Sequence, residues 1–296
     1  MSDPTGLRLT VVGCSGSYPG PAAAASCYLV QAPDGAGGTT RVVLDLGSGS
    51  IGPLQRHLDP RHLDAVLLSH LHADHCLDLM GLYVMQRHHP DGPTGRRVPV
   101  WGPSGTAARL ARGYDLVEPD AMAAELNVQQ WAAGVTVEVG SLAVTPFPVL
   151  HPVEAYAVRV VWTDPDGAPH VLVYSGDTDS CDGLAAAAAG ADVLLCEAAF
   201  VEGRDTARGI HLTGRRAGQV AARAGVGRLV LTHVPAWNPP GVAAVEAAQV
   251  FDGPLVTAEP GMLFDVPAGR SPTPRRVGPP TGPTDQPTDQ VEGVRE

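Results

Sequence analysis

The chain of 296 residues contains no lysine; all 20 of its basic side chains are arginine. Catalysis through a lysine Schiff base or a lysine general base is therefore excluded. Acidic residues number 31, which leaves a net charge of −11. Proteins that hold duplex nucleic acid or anionic membrane surfaces by nonspecific charge are basic, so this balance disfavours both. Cysteine is sparse: Cys14, Cys27, Cys76, Cys181 and Cys196 are odd in number, scattered, and form no CxxC pair. Neither a disulfide framework nor a zinc ribbon is indicated, and reduced, mostly buried thiols are expected. No apolar run approaches the roughly 20 residues of a membrane span. The opening MSDPTGLRLTVVG lacks the basic and apolar regions of a signal peptide. A cytoplasmic protein without membrane partners is expected. Hydrophobic residues are not scarce: at 44% they suffice for a large core and rule out a mainly disordered chain.

Short β-rich runs bounded by Gly, Pro and Ser occupy residues 7–12, 26–31 and 41–46, the last two reading as a hairpin across the turn-rich segment 33–40. Residues 51–58 read as a short helix and 65–69 (AVLLS) as a strand buried on both faces. A polar loop follows at 70–75, then a helix at 77–87, a strand at 98–102 and a helix at 104–114 with Ser104 as its N-cap. The second half repeats the grammar. Strands are expected at 135–139, 142–147, 155–163, 170–174, 192–197, 228–232 and 254–257, and helices at 184–189, 213–224 and 242–251. This order predicts an α/β protein with two packed sheets and helices outside them. From Pro267 onward the chain is Pro, Gly, Thr, Gln and charge without hydrophobic period, and residues 267–296 are expected to form a disordered tail.

The densest chemical signal is His70-Leu-His72-Ala-Asp74-His75, which places metal-competent side chains at the end of a predicted buried strand. Strand-end loops are where α/β sheets place chemistry. Imidazole and carboxylate in this mixture suit Zn²⁺, with Mn²⁺ or Fe²⁺ as alternatives. Isolated ligand-type residues recur immediately after other hydrophobic runs: His151 after TPFPVL, Asp177 in YSGDT, and His233 at the end of LVLTH.

The order HxHxDH, a single His, an Asp in SGDT and a His after LxLT resembles the metallo-β-lactamase fold, over residues 7–266. The resemblance implies an αββα sandwich with two divalent metal ions at one rim. It assigns His70, His72 and His151 to one ion, Asp74, His75 and His233 to the other, and Asp177 to a bridge. Asp45, in VVLDLG, matches the aspartate that orients the 70–75 loop. The segment from His211 through Thr213 to Ala217 resembles the HxT motif of the tRNA 3′-processing endonuclease (RNase Z-like) branch, where the histidine serves the leaving group. Glu197 matches the branch as a hydrogen-bond partner for His211.

Departures from that branch accompany the resemblance. His151 and Asp177 are too close in sequence to enclose a tRNA-clamping arm, Arg216 stands where the branch carries glutamate, and the basic lysine-containing loop is missing. The stretches LTVVGCSGS, LLSHLHADHCLDLMGL, YSGDT, LLCEA, HLTG…AGQVAARAGV, LTHVPAW and FDGP are more similar to an actinobacterial set of cyclic-nucleotide phosphodiesterases of the same fold. That resemblance implies hydrolysis of a 3′,5′-cyclic nucleotide, cAMP foremost, to the 5′-monophosphate by a hydroxide held between the two ions. Asp74 would help take its proton and His211 would face the departing oxygen. A cleaver of RNA 3′ ends is the alternative. Trp237 is a candidate platform for a purine or a loop anchor packing on the core, the loop 13–20 a candidate pocket wall or a plain turn, and the oligomeric state is open, a homodimer being the form in which relatives often pair. His57, His62, His88, His89 and His170 are read as surface or structural residues.

Overall fold

The computed structural model describes residues 3–91 and 94–267, and the backbone of 275–276. In chain order the elements are β1 Leu7–Gly13, β2 Cys27–Pro33, β3 Thr39–Leu44, α1 Ile51–Leu54, β4 Ala65–Leu67, α2 Ala73–Cys76, α3 Leu79–His88, β5 Val98–Gly102, α4 Thr106–Gly113 and β6 Leu126–Gln130. They continue with β7 Val137–Val139, β8 Leu142–Pro148, β9 Tyr156–Thr163, β10 Pro169–Tyr174, α5 Asp182–Ala188, β11 Val193–Glu197, α6 Gly214–Ala224, β12 Leu229–Thr232, α7 Val242–Ala248, β13 Leu255–Thr257, β14 Met262–Val266 and β15 Arg275–Arg276.

Two sheets result. One has the order β15-β14-β1-β2-β3-β4-β5-β6 and the other β13-β12-β11-β10-β9-β8-β7. The period of two along each strand decides the layering. On β1, Leu7, Leu9 and Val11 enter the core between the sheets, while Val12 faces the helices. On β11, Val193 and Leu195 face the other sheet, while Leu194 and Cys196 pack under α5, α6 and α7. Leu79, Leu82 and Leu110 from α3 and α4 cover the outer face of the first sheet. The chain is thus the αββα sandwich expected, and its central strands read as continuous apolar runs because both of their faces are covered.

Local chemistry moves several boundaries. The first helix stops at Leu54, well short of residue 58. Helix α4 is not capped by Ser104: Gly105, at φ 76°, is its N-cap, and the Ser104 hydroxyl and N–H instead donate to Glu154. Thr213 caps α6, its hydroxyl accepting from the Arg216 N–H. Besides the two-residue β15, two strands escape the sequence reading. Strand β6 is a sheet edge whose apolar–polar alternation, Leu126 to Gln129, holds only two apolar residues and does not stand out from the polar segment around it. Strand β14 lies against the Pro-rich terminus, yet pairs antiparallel with β1, Leu7 opposite Val266. The expected tail lies outside the described residues, apart from Pro267 and the two-residue β15 paired with β14. Among the described residues no helix is long and apolar enough to cross a membrane. All five cysteines are free, with only Cys181 partly exposed.

Leu195 is fully buried between the sheets. Truncation to Ala removes its methyl groups and leaves a cavity that the two sheets cannot close. Leu195→Ala is expected to lose about 2–5 kcal/mol of stability in chemical denaturation; a loss below about 1 kcal/mol would contradict this packing.

Candidate metal centre

One sandwich rim collects the ends of several strands because those strands run the same way. Strands β3 and β4 are parallel neighbours, so Asp45 and His70 emerge side by side. Strands β10, β11 and β12 are also parallel, which aligns Asp177, Glu197 and His233. Strand β8 is antiparallel to β9, and β9 to β10, so β8 ends at the same rim and delivers His151. Gly176, at φ 58°, lets the chain turn into Asp177 where the sheets meet: a Cβ there would lie 2.8 Å from that of Ser69 and 2.7 Å from the Tyr156 carbonyl. The second half of the expected 70–75 loop is a single helical turn, α2. Consecutive residues on that turn diverge by about 100°, which sends Asp74 toward His233 and His75 toward Asp45.

Two donor groups form there and share one carboxylate. Donor atoms of His70, His72, His151 and Asp177 lie within 4.8 Å of one another, as do those of Asp74, His75, Asp177 and His233. In the first group, His72 Nδ1 is 2.9 Å from His70 Nε2 and 3.3 Å from His151 Nε2. In the second, His233 Nε2 is 3.1 Å from Asp74 Oδ2 and 3.2 Å from His75 Nε2. Asp177 Oδ2 lies 3.3 Å from His75 Nε2, 3.4 Å from His233 Nε2 and 3.6 Å from His70 Nε2. Every metal ligand inferred from the sequence is in one of these groups.

Partners outside the groups set the imidazoles. Asp45 is fully buried, and its Oδ2 accepts from His75 Nδ1 at 2.7 Å, from the Ser69 hydroxyl at 2.7 Å and from the Tyr174 hydroxyl at 2.8 Å. The Ser69 N–H donates to Oδ1 at 2.7 Å. These bonds commit His75 Nδ1 to Asp45 and aim Nε2 at the cluster. His151 Nδ1 similarly donates to the Ile210 carbonyl at 2.9 Å. Glu197 holds His211: Nδ1 donates to Oε1 at 2.8 Å, while Glu197 also accepts from the N–H groups of Thr178, Ala199 and Leu212. His211 Nδ1 is 4.0 Å from Asp177 Oδ2. The sequence reading passed over Ser69, Tyr174 and Asp179. The last is buried, ion-paired to Arg216, and accepts from the Gly209 N–H at 2.9 Å, tying down the segment that carries His211. Ser69 and Tyr174 are not metal-ligand types, and Asp179, although a carboxylate, stands two residues after Asp177 and shows its different role only by its place in space.

The electrostatics match a cation site. Burial holds His70 well below the usual imidazole range, with the charge of His75 adding to the effect. Burial likewise lowers His72 and His151, so these rings present lone pairs at neutral pH. Burial opposes the charge on Asp177, but His233, His75 and His70 hold its carboxyl well below the usual range. His75 is pushed well above its usual range by Asp177 and Asp45 in spite of burial. For His211, burial opposes protonation, and Glu197 together with Asp177 outweighs it, raising the ring to about 9. Among the described residues, Asp177 Oδ1 and His233 Nδ1 are buried without a hydrogen-bond partner. Converging neutral nitrogens and an unpaired buried carboxylate oxygen are compensated by divalent cations, and the nitrogen–oxygen donor set fits them.

Trp237 lies on the loop after His233 and is 57% exposed, its ring against Tyr18 with centroids 5.1 Å apart. It does not pack into the core. His57, His62, His88, His89 and His170 are absent from the donor groups. His170 is structural, bonding the Val266 carbonyl and Asp164.

Residues 40–234 match the family described as beta-lactamase superfamily domain. An uncharacterized protein of Mycobacterium leprae is 46% identical over 264 residues, 88% of this chain and 89% of that one. The probable metallo-hydrolase YhfI of Bacillus subtilis is 28% identical over 88% of this chain and its own full length. The crystal structure of YhfI superposes with a TM-score of 0.75, covering 88% of this chain and 99% of that one at 27% identity. A ribonuclease Z of Mycobacterium bovis is 32% identical over 79% of this chain and 88% of its own. The chain belongs to the metallo-β-lactamase superfamily. It is a hydrolase of the divalent-metal class, with a His/Asp cluster at the rim where the fold carries its ions.

Replacing Asp45 by Asn removes the anion that fixes His75. Asp45→Asn is expected to weaken divalent-ion affinity about 10–100-fold, read by chelator competition. Asp177→Ala, which removes the carboxylate shared by both groups, is expected to lower the ion content found by elemental analysis of folded protein. Full ion occupancy in Asp177→Ala would refute the shared role.

Proposed function

We propose that the protein is a two-metal phosphodiesterase that hydrolyses 3′,5′-cyclic nucleotides, cAMP foremost, to 5′-monophosphates. The observation that carries this reading is the pair of donor groups joined through Asp177 with His211 poised 4.0 Å away on Glu197. One ion would be held by His70, His72 and His151, the other by Asp74, His75 and His233, with Asp177 common to both. Zinc suits this donor set, and Mn²⁺ or Fe²⁺ can use the same atoms. When bound, such ions supply Lewis acidity toward phosphoryl oxygens and acidify water.

The chain's own residues supply the proton transfers. Asp74 keeps more of its carboxylate exposed than Asp177 does, 11% of the side chain against 3%, and is the carboxylate placed to accept a proton from the attacking water. His211 spends Nδ1 on Glu197, which leaves Nε2 to face the departing oxygen. With its pKa raised to about 9, the ring carries a proton at neutral pH and serves as general acid. Asp45 and Glu197 act through the imidazoles they orient.

The alternative is an endonuclease acting on RNA 3′ ends, and the ribonuclease Z relatives favour it. Against it stand the segment between His151 and Asp177, occupied by β9 and β10, and a net charge of −11, unsuited to a polyanion. A cyclic nucleotide carries a single phosphate and needs no basic groove.

Incubation of metal-loaded protein with cAMP, cGMP and a precursor tRNA separates the readings. The expected products are 5′-monophosphates with the tRNA intact; trimmed tRNA beside untouched cyclic nucleotides would establish the endonuclease instead. His211→Ala is expected to retain its ions while kcat falls by about 10²–10⁴, and undiminished turnover would remove His211 from the mechanism.

A further inference from the structure

Two walls of the rim are exposed yet rigid. The loop after β1 and the loop after β12 are tied together through backbone: Ser15 bridges to both Ala25 and Val234, and the Gly16 N–H donates to the Val234 carbonyl. Gly16 fits because a Cβ there would sit 2.3 Å from the His233 carbonyl oxygen, and the Ser17 N–H reaches His233 Nε2 at 3.3 Å. On the other side, buried Asn238 donates from its side chain to the Ala199 carbonyl at 2.8 Å, and its N–H closes a turn onto Pro235. Arg204 Nη2 adds a 2.8 Å bond to the side-chain oxygen Oδ1 of Asn238. These contacts hold the loops without help from the rings of Tyr18 and Trp237.

Those rings nevertheless stand in solvent together. Tyr18 is 41% exposed and Trp237 57%, with centroids 5.1 Å apart and planes inclined by 34°. Tyr18 directly follows the residue that touches His233, and Trp237 lies four residues beyond that histidine. Two aromatic rings held side by side on braced loops next to the donor cluster offer a surface on which a flat ligand can stack. The rest of the chain indicates which ligand. With no lysine and a charge of −11, affinity beyond that of the phosphate must come from an uncharged part of the substrate, and a flat ring stacking on aromatic side chains provides it without cations.

We infer that Tyr18 and Trp237 form one stacking shelf for the nucleobase, with Tyr18 a specificity-determining residue beside Trp237. The inference deepens and rests on the cyclic-nucleotide reading, in that the base is delivered by the same molecule whose phosphate occupies the rim. The loop 13–20 then serves as a pocket wall and not as a plain turn.

The test compares binding of AMP with binding of ribose 5-phosphate, which keeps the sugar and phosphate and lacks the base. Metal-loaded protein is used, and binding is followed by calorimetry and by tryptophan fluorescence. Trp131 and Trp162 are buried, Trp101 is half-buried against Trp131 and Trp237 is exposed, so a quench upon AMP addition that disappears in Trp237→Ala reports the shelf. Wild-type protein is expected to prefer AMP by at least about tenfold, within the range of one base–aromatic stack. Tyr18→Ala and Trp237→Ala are each expected to lose most of that preference while binding ribose 5-phosphate as before; Trp237→Phe should keep it. An undiminished AMP preference in both alanine variants, or no preference in the wild type, would overturn the shelf. Failure of the phosphodiesterase reading alone appears differently, as an intact AMP preference in a protein that turns over no cyclic nucleotide.

Discussion

Burying the Asp177 carboxylate among imidazoles constrains nearly everything at the rim. An ionised carboxylate removed from water is costly unless positive charge and donors surround it. Here the surrounding groups are the ring nitrogens of His70, His75 and His233, with His75 held toward its charged form by Asp177 and Asp45. Such an arrangement persists only if other parts of the protein prevent the rings from turning away. Asp45 performs that task for His75, the Ile210 carbonyl for His151, and Glu197 for His211. The fold therefore spends several buried hydrogen bonds to hold a set of donors whose own attraction is weak until cations are present.

The two sheets divide this work. The first supplies the dense cluster on α2 and the Asp45 that braces it; the second supplies Asp177, Glu197 and His233 from adjacent parallel strands. Tyr174, from the second sheet, donates to Asp45 of the first, so one hydrogen bond couples the bracing group to the opposite layer. Between them lies an interlayer core to which Val30, Leu44, Leu172 and Leu195 contribute. Slippage of one sheet over the other would separate the donor groups, which makes core packing a direct determinant of metal geometry. Asp179 and Arg216 extend the same logic to the His211 segment, with a buried ion pair in the position where the RNase Z-like branch carries glutamate.

Much of this was legible from residues alone. The cluster at 70–75, Asp177 and His233 stood out because each follows a run of buried β-type residues, and that signature survives without any knowledge of strand order. Boundaries were less legible. Ser104 has the chemistry of an N-cap, yet Glu154, remote in sequence, takes its hydroxyl. Strand β14 was missed because its partner is β1, at the opposite end of the chain, and no local pattern announces such a pairing. Tyr174 ends an expected strand, and nothing local announces that its hydroxyl is part of the bracing network.

The sequence by itself determined the apolar alternation that makes a two-sheet core, the placing of ligand-type residues at strand ends, and a net charge of −11. Tertiary structure alone decided which strand ends share a rim, which nitrogen of each imidazole faces inward, and that Tyr18 stands beside Trp237. The physical reason is range. Periodicity and composition act through neighbours along the chain, whereas a hydrogen bond from Tyr174 to Asp45, or a carboxylate shared by two donor groups, exists only once strands distant in sequence have packed into register.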